Sequence, residues 1–180
     1  QTNEEELRMR RDTTAVAVLG SLNSENLYTH YGDASQLTKT EQFVAPLGKE
    51  QSILSTTGRG YYILGILGAG EEPTNHALKD IIAERDVFEH WGRSLVLLFK
   101  DKTSQSRYRP EDFVGLPKGT VFGLDSKGSV LSELVTNMKL RAGNLPVFVI
   151  ADTFNRVVFV SQGYTIGLGR QIRQVITALE

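Results

Sequence analysis

Two continuous apolar runs, Tyr61–Leu67 (YYILGIL) and Leu95–Phe99 (LVLLF), constrain this chain more than anything else in it. Neither run alternates, so each has the pattern of a strand buried on both faces, as in parallel sheets covered by helices. Between them, Ala77, Leu78, Ile81, Phe88 and Trp91 fall on one face of a helix predicted over Thr74 to Trp91, and Gly92 sits where a C-terminal cap belongs. Downstream, Thr120 to Leu124 reads as a third strand, and Val130, Leu131, Leu134, Val135 and Met138 outline a short helix. Leu145-Pro146 opens a strand over 147–151, a turn at 152–155 leads into a strand from Arg156 to Ser161, and a last helix carries Leu168, Ile172, Val175, Ile176 and Leu179 on one side. The hairpin must be antiparallel while the crossovers favour parallel pairing. The predicted fold class is therefore α/β, a mixed sheet flanked by helices.

The first quarter of the chain is less ordered as a pattern. Thr13 to Leu19 (TTAVAVL) is β-branched and apolar enough for a strand, and Ser21 to Tyr31 would continue it or pair with it. Thr38 to Gly60 is polar and punctuated by Pro46, Gly48 and Gly58, which predicts a surface loop. Lys100 to Lys118, with Pro110 and Pro117, reads as an excursion from the sheet. With 180 residues the chain fits one domain, residues 60–180, preceded by an N-terminal strand-containing extension, residues 1–59.

Composition removes several classes of function. Twenty basic and 21 acidic residues leave a formal charge of -1, which gives no electrostatic reason to bind nucleic acid. The short basic run Arg8, Arg10, Arg11 lies among acidic and polar residues and reads as a solvated tail. No apolar run approaches the ~20 residues of a membrane-spanning helix, so no membrane insertion is expected. The start, Gln1 to Glu6, lacks the pattern of a signal peptide and does not begin with methionine, so the chain reads as a mature form or a piece of a longer protein. Above all, the chain contains no cysteine. Disulfides, thiolate metal sites and cysteine nucleophiles are all excluded.

The order of elements, with these residues, resembles the thioredoxin superfamily, in particular its TlpA/ResA and peroxiredoxin-like branch. Three places carry the resemblance. Gly65 to Thr74 (GILGAGEEPT) stands where that family has a strand, a short loop and Cys-x-Pro-Cys at a helix start: Pro73 is kept, and Glu71 and Thr74 occupy the cysteine positions. Leu145-Pro146-Val147 stands at the family's cis-proline, and Gly163 matches the glycine before the terminal helix. Val121 to Gly128 resembles the extra strand and turn of the TlpA branch, and Asp152 to Arg156 its Asp-x-x-Gly-Arg hairpin turn. The likeness covers residues 60–180 and implies a thioredoxin-like sheet without the family's redox chemistry. A second resemblance joins Ser55 to Gly60, Glu71 to Leu78 and Phe148 to Gly169 to C-terminal regions of bacterial secreted transglutaminase-like proteins. It implies a catalytic domain upstream and a periplasmic, cell-surface or secreted location for an accessory domain that is not itself an enzyme.

At the helix start, Glu71 and Glu72 are favoured by the macrodipole, worth roughly 0.3–1 kcal/mol when exposed, and Pro73 suits a first helical position. The plain reading is a well-built helix start. The sharper one makes Glu71, Glu72 and His76 an acid/base or metal cluster, with Glu72 and His76 four apart and Asp80 a turn further on. An i,i+4 surface pair is the commoner outcome of that spacing. His90, beside Trp91, is placed to serve the last helical carbonyls, and His30 has no partner spacing. Gly65, Gly68 and Gly70 match neither phosphate-loop pattern, and Glu71-Glu72 would repel a phosphate.

X-Pro bonds are cis only about 5–6% of the time, but the resemblance implies a cis bond at Leu145-Pro146. In the family that edge accepts an extended peptide by strand addition. Two readings of the place stay open: an inherited structural turn, or a surviving groove formed by Gly70, Glu71, Glu72, Pro73, Thr74, Leu145 and Pro146, bordered by Tyr164. The second predicts a neighbouring domain or a peptide as partner, and no cofactor.

Overall fold

A computed structural model describes residues 17–23, 27–33, 49–57, 60–68, 72–91, 94–107 and 115–179. In chain order the elements are β1 (Gly20–Ser21), β2 (Leu27–Asp33), β3 (Lys49–Ser52), α1 (Ile53–Thr57), β4 (Tyr62–Leu67), α2 (Glu72–Ala83), α3 (Arg85–Trp91), β5 (Ser94–Phe99), α4 (Lys102–Ser106), β6 (Val121–Leu124), α5 (Ser129–Asn137), β7 (Val147–Ala151), β8 (Arg156–Gln162) and α6 (Leu168–Leu179). The strands form one eight-stranded sheet in the order β1-β8-β7-β4-β5-β6-β2-β3. β4 pairs in parallel with β5, and β5 with β6, while β7 lies antiparallel to both β4 and β8. The mixed α/β class read from the sequence is the one observed.

The unbroken apolar runs are central strands, and their side chains alternate between two cores. Ile63, Leu67, Leu97, Phe99, Phe148 and Ile150 pack beneath Leu78 and Ile81 of α2, Phe88 of α3, and Leu168, Ile172 and Ile176 of α6. Tyr62, Leu64, Ile66, Val96, Leu98, Val147 and Val149 pack on the other face against Val130 and Leu134 of α5, together with Leu22, Tyr28 and Ile53. Each fully buried large side chain contributes roughly 1.5–3 kcal/mol. Gly65 interrupts the alternation of β4 for a steric reason. A Cβ there would lie 2.6 Å from the Phe148 ring and 2.9 Å from Leu97, so its absence lets Phe148 fill the first core.

Several sequence expectations are corrected in detail. The helix predicted over Thr74 to Trp91 is two helices. Its break falls at Glu84, whose N–H is shared between the carbonyls of Asp80 and Ile81, at 3.2 and 3.1 Å. The polar stretch Thr38 to Gly60 is not all loop: its described part contains β3 and α1, with Ile53 fully buried. The excursion from Lys100 to Lys118 contains α4, capped by the Asp101 carboxylate on the Ser104 N–H at 2.7 Å.

Of the strand expected over Thr13 to Leu19, residues 13–16 lie outside the described residues. Leu19 donates its N–H to Val157 just before β1. Ser21, in β1, continues from Leu19 along β8, while the later part of the segment Ser21 to Tyr31 pairs elsewhere. Its β2 part crosses to the other side of the sheet, between β3 and β6, because Gly123 gives it room: a Cβ there would stand 2.3 Å from the Thr29 carbonyl and 2.5 Å from the Tyr28 ring. Strands from before residue 60 thus stand at both edges of the sheet.

Candidate binding site

The carboxyl ends of β4, β5 and β6 point the same way, and in open α/β sheets ligands bind beyond such ends. Of the residues singled out in the sequence, Pro73, Thr74, Leu145 and Pro146 are described at this end. α2 begins at Glu72, its first turn carrying half-buried Pro73 and then Thr74, which is only 1% exposed. The chain entering β7 passes alongside. A Cβ on Gly68 would lie 3.2 Å from the Leu145 Cβ and 3.8 Å from the Thr74 hydroxyl oxygen, so Gly68 is the point where Thr74 and Leu145 come together. The Leu145-Pro146 bond is cis. Leu145 and Pro146 are both buried, and the Pro146 carbonyl accepts the Gly163 N–H at 2.8 Å. Gly163 has φ +72°, a left-handed conformation that favours glycine. Gly70 and Glu71 lie outside the described residues, as does the side chain of Glu72.

Beside this junction is a polar link that the sequence did not announce. The Tyr164 hydroxyl lies 3.2 and 3.3 Å from the two carboxylate oxygens of Asp80 and donates to that carboxylate, which also accepts the Gly169 N–H at 3.1 Å. Asp80 on α2 therefore caps the N-terminus of α6, where a negative charge is favoured by the unpaired N–H groups. Partial desolvation, with the Asp80 charge behind it, holds the Tyr164 hydroxyl above the ordinary tyrosine range. The imidazole of exposed His76 stacks on the Tyr164 ring, centroids 5.3 Å apart at 23°. One signal for this link was available: a glycine at the second residue of a helix, Gly169, marks a close approach, and a Cβ there would sit 2.9 Å from the Asp80 carbonyl.

The acid/base or metal reading placed His76 and Asp80 along one helical face. The structure instead engages Asp80 with α6 and His76 with Tyr164. Among the described residues no three His, Cys, Asp or Glu side chains stand together to hold a metal ion. His90 is exposed in the last turn of α3.

The arrangement can present a surface but has no thiol to react. At the same end, Asp125 caps α5, its buried carboxylate accepting the Val130 and Leu131 N–H groups at 3.2 and 2.9 Å. Burial raises its pKa, and those two bonds work against the rise. At the opposite end, Asp152 shapes the hairpin turn by accepting the N–H groups of Phe154 and Arg156 and the Arg156 Nε at 2.8 Å. Asn155 takes the left-handed conformation, φ +66°, at the position where the resemblance placed a glycine.

Comparison with solved structures decides the architecture. A cysteine-to-serine variant of peroxiredoxin Q from Xanthomonas campestris superposes with a TM-score of 0.60 at 10% identity, over 89% of this chain and 97% of that one. A protein assigned as the thiol:disulfide interchange protein DsbE of Chlorobium tepidum gives 0.55 at 14% identity, over 89% of this chain and 100% of that one. The thioredoxin domain of a thiol-disulfide oxidoreductase from Bacteroides vulgatus gives 0.52 at 12%, over 87% and 99%. The fold is thioredoxin-like. No protein-family model and no curated protein matches the sequence. Identities this low speak for the thioredoxin-like fold alone. The peroxide and disulfide chemistry in those proteins' names has no cysteine to support it in this chain. Among the described residues no helix is long and apolar enough to cross a membrane.

Proposed function

We propose that the chain is a redox-inactive thioredoxin-like module that works by binding, docking a neighbouring domain or an extended peptide against the end of the sheet where α2 begins. The observation that supports this most is the pairing of a kept shape with lost chemistry. Gly163 closes on the Pro146 carbonyl beside the start of α2, while Thr74, at the second cysteine position of the resemblance, is buried against Gly68 and Leu145. A partner reaching this end would meet Pro73, His76, Tyr164 and Ile166, the last 96% exposed. In this reading the chain is an accessory C-terminal domain of a larger exported bacterial protein, outside the cytoplasm, and the upstream part of that parent is its first candidate partner.

The test is a titration of the isotopically labelled chain with the upstream part of the parent, followed by amide NMR. Docking here moves Thr74, His76, Leu145, Gly163 and Tyr164 together. Shifts confined to other surfaces, or none at millimolar partner, would overturn the reading. The competing reading, a non-redox enzyme or metal site centred on Glu71, Glu72 and His76, is separated by adding Zn²⁺ alone. Stoichiometric heat that disappears in Glu72→Ala and His76→Ala would favour it.

A further inference from the structure

Tyr62 opens β4 at the far end of the sheet from α2. Its side chain is fully buried in the second core, yet its hydroxyl has no hydrogen-bond partner among the described residues. The same holds for Oδ1 of Asn155. An unpaired buried polar atom is costly, on the order of 1–3 kcal/mol, and native interiors pair nearly all of them.

The backbone places these two residues at the same end of the sheet. Tyr62 pairs with Ala151, the last residue of β7, and the turn holding Asn155 starts at the next residue. Asn155 donates its N–H to the Asp152 carbonyl at 3.0 Å and accepts the Leu22 N–H at 2.9 Å, while Leu22 packs in the same core as Tyr62. Glu133 of α5 accepts the Asn23 N–H next to Leu22. Burial, with Asp152 and then Glu133 adding their charge, pushes the Tyr62 hydroxyl far above the usual tyrosine range, so it stays a neutral donor. Asp152 meanwhile is committed to Phe154 and Arg156.

We propose that an ordered water molecule is held between the Tyr62 hydroxyl and Asn155 Oδ1, under residues 21–23. The chemistry selects water. The phenol needs an acceptor and the amide oxygen needs a donor, and one water supplies both. A cation would satisfy the amide oxygen but offer the phenol nothing to donate to. The bridge ties the start of β4 to the β7–β8 turn, on which the segment around β1 rests.

A crystal structure of the chain at a resolution that orders solvent is the direct test. A density peak within hydrogen-bond distance of both atoms is expected, and a dry contact there overturns the proposal. A double-mutant cycle in solution reads the same link. Tyr62→Phe lowers the folding equilibrium constant about fivefold. Asn155→Gly, which keeps the left-handed backbone, removes the other partner, and the two losses do not multiply. If Tyr62→Phe instead stabilises the protein, or if the two effects multiply independently, the hydroxyl has no water partner and the bridge does not exist.

Discussion

The two ends of the sheet are built on different terms. Where α2 begins, backbone comes close to side chain at glycines, and the polar groups that hold the junction answer one another. Gly163 binds Pro146, Gly169 and Tyr164 bind Asp80, and Thr74 is sealed against Gly68 and Leu145. At the hairpin end one carboxylate, Asp152, organises the turn, while the Tyr62 hydroxyl and Asn155 Oδ1 have no hydrogen-bond partner among the described residues. Among the described residues, the end marked by the resemblance as reactive is the one whose buried polar groups are paired. Its shape rests on packing and capping, and thiols are not needed to maintain it.

The strongest way to break that comparison is to force α2 and α6 apart. In Gly169→Val the first added carbon would sit 2.9 Å from the Asp80 carbonyl and 3.1 Å from its Cβ, contacts that backbone cannot easily relieve. A loss of about 3 kcal/mol or more is expected, read from the urea midpoint at constant slope. A loss under about 1 kcal/mol would mean that the helices slide apart easily and that packing does not hold this end together.

Asp152→Ala tests the opposite end. It strands two backbone N–H groups and one guanidinium contact. Arg156 is more than half exposed, so the ion pair itself adds little and the backbone bonds carry the effect. A loss of about 2 kcal/mol is expected, with Asp152→Asn recovering part of it. Asp80→Ala comes next, at about 1 kcal/mol, because its bonds to Tyr164 and Gly169 are long, 3.1 to 3.3 Å. Should Asp80→Ala cost more than Asp152→Ala, the capping of α6 outranks the hairpin turn and the ordering of the two ends reverses.

What the sequence made legible follows the same division. Apolar runs buried on both faces announce themselves, because every residue of Tyr62–Leu67 and Val147–Ala151 must satisfy one core or the other. The turn chemistry of Asp152 to Arg156 and the helix start at Pro73 are equally local and were readable. The break at Glu84 was not, because the apolar face continues across it and Phe88 reaches the same core from α3. Nor was the placement of β2 beside β6, which depends on a missing side chain at Gly123 nearly 100 residues away in sequence. At the candidate site, the Asp80–Tyr164–Gly169 link had only Gly169 to hint at it, since three separated residues with ordinary local roles meet only in the fold.

The smallest expected effect lies in two aspartates that follow neighbouring strands at the α2 end. Asp101, after β5, has its pKa lowered, first by the Ser104 N–H bond of its cap. Asp125, after β6, has its pKa raised, first by burial. The signs are opposite. The stability Asp101 contributes is present above the ordinary aspartate value of about 3.9 and is lost as pH falls through its lower folded value. For Asp125, stability is fully present below that ordinary value and falls as pH rises through its higher folded one, because the folded state prefers the protonated acid. Carboxyl ¹³C NMR titration should therefore show Asp101 titrating below free aspartate and Asp125 above it. Asp101→Asn, which keeps the cap but removes the charge, should flatten the acid-side fall in the urea midpoint. If Asp125 titrates below free aspartate, its two N–H bonds outweigh burial. The cap on α5 is then stronger than its desolvation, and the α2 end is held by charge as well as by packing.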